Sequence, residues 1–226
     1  MKVISSLSYR AANLSRPPAT VIEEKDIGLW GVCFSWGELD LSAKVLENVR
    51  FFVDSYVNQS EITNPFGYDS ALTDLENALR SGCSLANDVI YRQVNKSNLS
   101  GGVECLLMLK RGQELAVLQV GQPHVFLLRR GQIIPLLAGF DILSSDFLSG
   151  AFLPNQLLGL NASCYPHFRS VHVEVGDEII LLAHSQIPGG LLWNGQETFS
   201  DDLRELFLKI SKSYPQHPFW ISKLRI

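Results

Sequence analysis

The side chains able to do chemistry in this 226-residue chain are spread thin. Ser35 and Ser185 could attack a substrate only beside a base, and neither they nor the five histidines form a G-x-S-x-G elbow or another triad pattern. A phosphate-cradling loop needs several glycines ahead of a helix, whereas Gly189-Gly190 stands alone after Pro188 and reads as a turn. Asp201-Asp202 precedes an amphipathic run and suits the positive end of a helix better than an acid/base dyad. The four cysteines, at 33, 83, 105 and 164, show no C-x-x-C spacing. Cys33 and Cys105 lie in apolar runs, where a reduced thiol packs as a small hydrophobe. No disulfide framework is expected, and a reducing compartment is. Trp30, Trp36, Trp193 and Trp220 are too scattered for a base-stacking platform and read as structural residues.

Charge narrows the partners. Formal net charge is -4, with acids and bases interleaved, so no basic footprint for nucleic acid and no polybasic strip for a membrane is present. The basic pairs Lys110-Arg111 and Arg129-Arg130 mark solvated loop tips. A chain that is 46% apolar and 19% charged suits a folded globule, and its length allows one domain over 1–226. Met1 to Ser15 lacks the apolar centre of a secretory signal, and no run nears the roughly 18 apolar residues that span a bilayer. A soluble cytoplasmic protein is the expectation.

The elements follow from periodicity. Gly28 to Phe34 reads as a strand closed by a Ser35-Trp36-Gly37 turn. Leu41, Val45, Leu46, Val49, Phe52 and Val53 recur at helical spacing, and a second helix is predicted over Ala71 to Val94. Beyond Gly101-Gly102, four short apolar runs (Val103–Leu109, Leu115–Val120, His124–Leu128, Ile133–Leu137) are separated by Gly-bearing turns and predict an antiparallel meander. Ser170 to Val175 and Glu178 to His184 predict a hairpin about Gly176-Asp177. Ser200 to Lys212 predicts a helix, and Phe219 to Ile226 a closing strand. Blocks of strands and helices, without strict alternation, point to an α+β fold with helices outside antiparallel sheets.

That order of elements, with its local motifs, resembles the metal-dependent Ser/Thr protein phosphatases of the PP2C (PPM) family over nearly the whole chain. Arg10-Ala11-Ala12-Asn13-Leu14-Ser15 resembles the family's R-x-x-N-E-D, and Gly31-Val32-Cys33-Phe34-Ser35 its strand ending in V-A-D-G. Gly101-Gly102-Val103-Glu104 resembles the G-x-G-T-T entry to the central strands. Leu115 to Gly131 resembles an apolar strand, V-G-D-S-R, a second strand and R-x-G. Val175 to Ala183 resembles the hairpin before S-D-G, here His184-Ser185-Gln186, and His217-Pro218 stands where the family has D-N. The resemblance implies a four-layer αββα sandwich of two antiparallel sheets flanked by helices.

It also exposes what is missing. The family's aspartates hold two Mg²⁺ or Mn²⁺ ions that activate a water, and closely spaced hard cations need several anionic oxygens. The matching positions here are Ser15, Phe34, Ser185 and His217, with Gln122 in the Asp slot of V-G-D. A phenyl ring has no lone pair to offer. The resemblance therefore implies no family-type catalysis, no bound metal and no cofactor. Arg10 matches the arginine that grips the substrate phosphate, and a guanidinium can do so without metal; a plain surface arginine is the competing reading. His124, His184 and His217 fall near former active-site positions and Cys33 adjoins Phe34, a set that could suit Zn²⁺; strand alternation turns His184 and Cys33 away from it.

The expected function is that of a pseudophosphatase, a catalytically inactive PP2C-like domain acting as a protein-binding or regulatory module. Its partner would be a protein, a phosphoprotein among the candidates. Two alternatives stay open: a divergent metallophosphatase using displaced carboxylates such as Asp40, Asp141 or Asp146, and a sensor of a small phosphorylated ligand. The irregular stretch from Ala138 to Phe168 is the candidate partner surface, through Phe147, Phe152, Leu157 and Leu158, unless these side chains simply anchor it to the core.

Overall fold

The computed structural model describes residues 1–12, 14–58, 64–138, 154, 156–184 and 202–226. The strands are β1 (Lys2–Tyr9), β2 (Ala19–Glu24), β3 (Leu29–Gly37), β4 (Gly101–Arg111), β5 (Glu114–Val120), β6 (Pro123–Arg129), β7 (Gln132–Leu137), β8 (His167–His172), β9 (Glu178–Ala183) and β10 (Phe219–Arg225). The helices are α1 (Leu41–Asn58), α2 (Asp74–Val89) and α3 (Leu203–Ser213). They make two antiparallel five-stranded sheets, of order β1-β10-β9-β6-β7 and β2-β3-β4-β5-β8. The chain divides into two compact units, one holding the first sheet and α3, the other the second sheet, α1 and α2. Among the described residues no helix is long and apolar enough to cross a membrane.

In the unit of the second sheet, α1 and α2 bury their apolar faces on one side of the strands. Leu41, Val45, Leu46, Val49 and Val53 of α1 join Leu75, Leu79, Cys83 and Ala86 of α2 against Leu29, Cys33, Cys105, Leu107 and Leu118. Each large aliphatic side chain sealed this way contributes about 2 kcal/mol. Gly31 of β3 faces a crowded place: a Cβ there would lie 2.9 Å from Leu107 Cδ2 and 3.1 Å from Leu46 Cδ2, so these side chains would have to shift. Helix α2 starts later than the apolar pattern suggests. Thr73 forms a capping box with Glu76, the Glu76 N–H donating to Thr73 Oγ1 at 3.3 Å and the Thr73 N–H to Glu76 Oε2 at 2.9 Å. Its far end widens into a π-helical turn over Ile90–Val94.

In the other unit, Leu203, Leu206 and Ile210 of α3 cover Phe126, Leu128, Ile180, Leu182, Phe219 and Ile221. Asp202 caps this helix, accepting the Arg204 N–H at 2.9 Å.

Several expectations from the sequence are corrected. The runs from 103 to 137 do not form one meander: β4 and β5 pair in the second sheet, β6 and β7 in the first. The chain changes sheets at Gly121, whose positive φ of 90° breaks the extended path. Nor do β8 and β9 form a hairpin, since β8 pairs with β5 and β9 with β6 and β10. Gly-bearing turns announce where a strand ends, not which sheet takes the next one. Ser35 to Gly37 is not a turn but the end of β3, still paired with Gly101 to Val103. The N-terminal residues hold two strands, β1 and β2, both at sheet edges. Alternate exposure along β1 leaves its polar Lys-Val-Ile-Ser-Ser-Leu-Ser-Tyr sequence with little apolar signal.

Candidate functional site

In the second sheet, the position of greatest interest is Phe34. It lies fully buried in β3, directly across from Glu104 of β4. Residues paired this way share a face of the sheet, so the phenyl ring and the carboxylate stand side by side on the face opposite α1 and α2. Trp36 lies two residues further along the same face and donates its indole N–H to Glu104 Oε2 at 2.8 Å. Glu104 itself has no exposed surface. Space for it exists because residue 121 is glycine; a Cβ there would sit 2.7 Å from Glu104 Cγ. Ser35 is no nucleophile. Its hydroxyl takes the Ser42 N–H at 2.8 Å, lies 2.6 Å from Ser42 Oγ and donates to the Leu39 carbonyl, which anchors the start of α1.

The unit of the first sheet carries a polar group of its own. Arg16 is buried and donates from Nη1 to Oε1 of the buried Gln122 at 2.7 Å. Two residues along, His124 is sealed from solvent, and its Nε2–H donates to the His184 carbonyl at 2.9 Å. Burial pushes the His124 pKa down to about 4, with the nearby Arg16 charge acting the same way. The imidazole is therefore neutral at physiological pH. His184 lies against His217, ring centroids 5.6 Å apart and planes at 12°, with Tyr214 edge-on at 5.3 Å. Burial also lowers the His217 pKa.

In this one unit His184 and His217 thus stack, with His124 bonded to the His184 carbonyl. Cys33 does not join them and packs in the core beneath α1 and α2. Among the described residues, no group of three or more His, Cys, Asp or Glu is placed to hold a metal ion. Taken unit by unit, the described residues do not offer the several anionic oxygens that a pair of hard cations needs either. Phe34 offers a hydrocarbon ring, Gln122 is engaged by a guanidinium, and the carboxylate beside Phe34 is held by an indole.

Other expected residues are placed as follows. Ser15 and Arg10 are both exposed after β1. Asp40 lies ahead of α1 in an exposed ion pair with Lys44 at 2.6 Å. Leu158 is corrected: it is fully buried, bonded through its backbone to Val103 in both directions, and presents nothing to a partner. Leu157 is half-buried. Ser185, Phe147, Phe152, Asp141 and Asp146 lie outside the described residues. Two functional-looking groups are invisible to motif reading, Glu104 and Arg16. A lone acid inside Val-Glu-Cys-Leu-Leu-Met-Leu could have flagged the first; nothing in the sequence flags the burial of Arg16.

No protein-family profile matches this chain, and no curated protein does. Solved structures do. PppA, a key regulatory component of T6SS in Pseudomonas aeruginosa, aligns with a TM-score of 0.64 at 16% identity, over 98% of this chain and 96% of its own. The PPM Ser-Thr phosphatase MsPP from Mycobacterium smegmatis, in complex with cacodylate, aligns with a TM-score of 0.64 at 12% identity over 100% of both chains. The catalytic domain of the serine/threonine phosphatase PstP, in complex with 2 manganese ions, aligns with a TM-score of 0.59 at 15% identity, over 97% of this chain and 96% of its own. Two antiparallel sheets flanked by helices, matched along the full length, give this chain the fold of the PP2C/PPM Ser/Thr protein phosphatases.

Proposed function

We propose that this protein is a pseudophosphatase, a phosphatase fold that no longer hydrolyses phosphoesters through bound metals and acts by binding a protein partner. One observation carries this: Phe34, at the position the resemblance gives to a metal-binding aspartate, is a fully buried phenyl ring. Removing the ions also removes the acidified water and the charge that steadies the transferred phosphoryl group. One neighbour in fold carries two manganese ions, and another is described as a key regulatory component of T6SS; a fold can be kept while its chemistry is lost. The four cysteines are free thiols, which suits the cytoplasm as its compartment.

The test is direct. Purified protein with Mn²⁺ or Mg²⁺ is offered p-nitrophenyl phosphate and a phosphoserine peptide, while calorimetry follows the metal. Rates at the buffer level and no tight metal binding are expected. Turnover that a chelator abolishes would overturn the proposal. Capture of a partner by the folded protein, weakened by Phe152→Asp, would locate the surface.

A further inference from the structure

We propose that the groove between α2 and residues 162–168 is a binding site for a small aryl carboxylate, with Arg80 as its anchor. The site lies on the α2 side of the second sheet, on the face away from Phe34 and Glu104, and does not depend on the loss of catalysis. The groove encloses about 400 Å³, room for a ring compound, and is lined by Phe66, Arg80, Asp88, Tyr165, Pro166 and Phe168 among others. Arg80, Ser84, Asn87 and Asp88 follow one another at helical spacing, so a single face of α2 makes its floor.

Charge selects the ligand. Arg80 is half-buried, and its guanidinium meets only neutral oxygens. Nη1 and Nη2 donate to the Phe66 carbonyl at 3.5 and 3.4 Å, and Nη2 also to the Gly67 carbonyl and, at 3.5 Å, to Asn77 Oδ1. Nε is buried and has no acceptor among the described residues. The fork thus holds donors to spare, and its charge sits in a half-buried place without a carboxylate partner among the described residues. At the far end of the floor, about 12 Å along the helix axis, Asp88 is already paired with Arg92 at 2.6 Å. The groove therefore offers one unanswered positive charge, while the Asp88 carboxylate works against a second negative charge on the ligand. That combination favours a carboxylate over a dianionic phosphate.

The walls select a flat ring. Phe66, Tyr165 and Phe168 are aromatic, and Tyr165 is 76% exposed although its backbone is fixed. Gln156, its amide turned to satisfy both neighbours, donates to the Tyr165 carbonyl at 3.1 Å and accepts the Tyr165 N–H at 2.7 Å. Asn87 ties the same segment to α2, donating to the carbonyls of Asn161 and Ala162 at 3.1 and 3.3 Å. Phe66 is held too, its N–H donating to Asn64 Oδ1 at 3.0 Å. A ring entering between walls already ordered loses little of the protein's conformational freedom and gains aromatic contact.

The experiment titrates native ¹⁵N-labelled protein with 2-naphthoate, with 2-naphthamide, which keeps the shape without the charge, and with 2-naphthyl phosphate. Naphthoate should bind about tenfold more tightly than naphthamide, with the shift changes concentrated at Ser84, Asp88, Ser163 and Tyr165. Asp88→Asn removes the opposing charge and should tighten naphthoate about threefold while leaving naphthamide unchanged. Tyr165→Ala should weaken both about fivefold. Arg80→Gln should erase the preference for the charged compound; since Arg80 also holds the Phe66 and Gly67 carbonyls, Asp88→Asn and Tyr165→Ala decide the matter if that variant does not fold. The proposal is overturned if none of the three compounds binds, if naphthamide binds as well as naphthoate, or if the phosphate binds more tightly than the carboxylate. Shift changes centred outside the groove, or a naphthoate affinity that Asp88→Asn leaves where it was, overturn it equally.

Discussion

Arg129 grips Asp177 with two parallel bonds, Nε to Oδ1 at 2.9 Å and Nη2 to Oδ2 at 2.6 Å. Asp177 is nearly sealed and also accepts the Glu174 N–H at 2.8 Å, so this one carboxylate ties β6 to the turn before β9. The bonds from Arg129 hold its pKa below the usual carboxylate value. Between the folded and unfolded pKa the unfolded chain binds more protons. The stabilisation is therefore complete above the ordinary value of 3.8 and fades as pH falls through the folded pKa. Asp177→Asn should cost about 2 kcal/mol near neutral pH and flatten the acid limb of the stability curve, as urea unfolding from neutral pH down to about pH 3 will show.

His124 works at a higher pH. Its folded pKa of about 4 lies below the ordinary 6.5, so the unfolded chain takes up a proton that the buried ring refuses. Stability thus declines as pH falls from about 6.5 towards 4, by about 3 kcal/mol for this residue alone. His124→Gln, which keeps a donor for the His184 carbonyl, should remove most of that slope. In NMR titration the His124 resonance should stay neutral through pH 6.

Phe34 is expected to matter for packing and not for chemistry. Phe34→Ala should lower stability by about 3–5 kcal/mol through the cavity it leaves. Phe34→Asp should cost at least as much and still bind no Mn²⁺ tightly by calorimetry, because the one carboxylate paired beside it, Glu104, is already engaged by the Trp36 indole. Tight Mn²⁺ binding by that single variant would contradict the account of the site.

Gly121 separates two reasons for glycine. Its φ is 90°, and a Cβ there collides with Glu104 Cγ at 2.7 Å. Gly112 has a φ of 59° but open space around the same point. Gly112→Ala should cost about 1 kcal/mol, from backbone strain alone, and Gly121→Ala clearly more, about 2–3 kcal/mol. Equal losses in thermal unfolding would mean that Glu104 is loosely held.

Helical periodicity was legible because it reports a face directly. Every residue of α1 assigned to the core by spacing, from Leu41 to Val53, is buried. Along α2 burial follows apolar character less closely, since Leu85 and Val89 are half-buried while Ala78 and Cys83 are sealed. Strands were legible as strands where apolar, as in β5 and β6, but their partners were not. Leu118 pairs with Phe168 across a long stretch of intervening chain, and local alternation carries no record of such a neighbour. The edge strand β1 escaped notice because half of it faces water. At the candidate site, the resemblance places Ser15, Phe34, Gln122 and His217 where the family has acids. The buried Arg16–Gln122 bond and the Glu104 carboxylate beside Phe34 were not legible, because burial of a polar group depends on what the fold brings over it.

In the first sheet, β10 lies between β1 and β9, so among the described residues β1 pairs with β10. During synthesis β1 must wait for the much later β10, whereas β2, β3, β4 and β5 can pair in the order they emerge. A ribosome-bound chain stalled before Phe219 would carry an unpaired β1 and a bare flank on β9, two sticky edges at once. Completion of this sheet is thus timed by the emergence of β10.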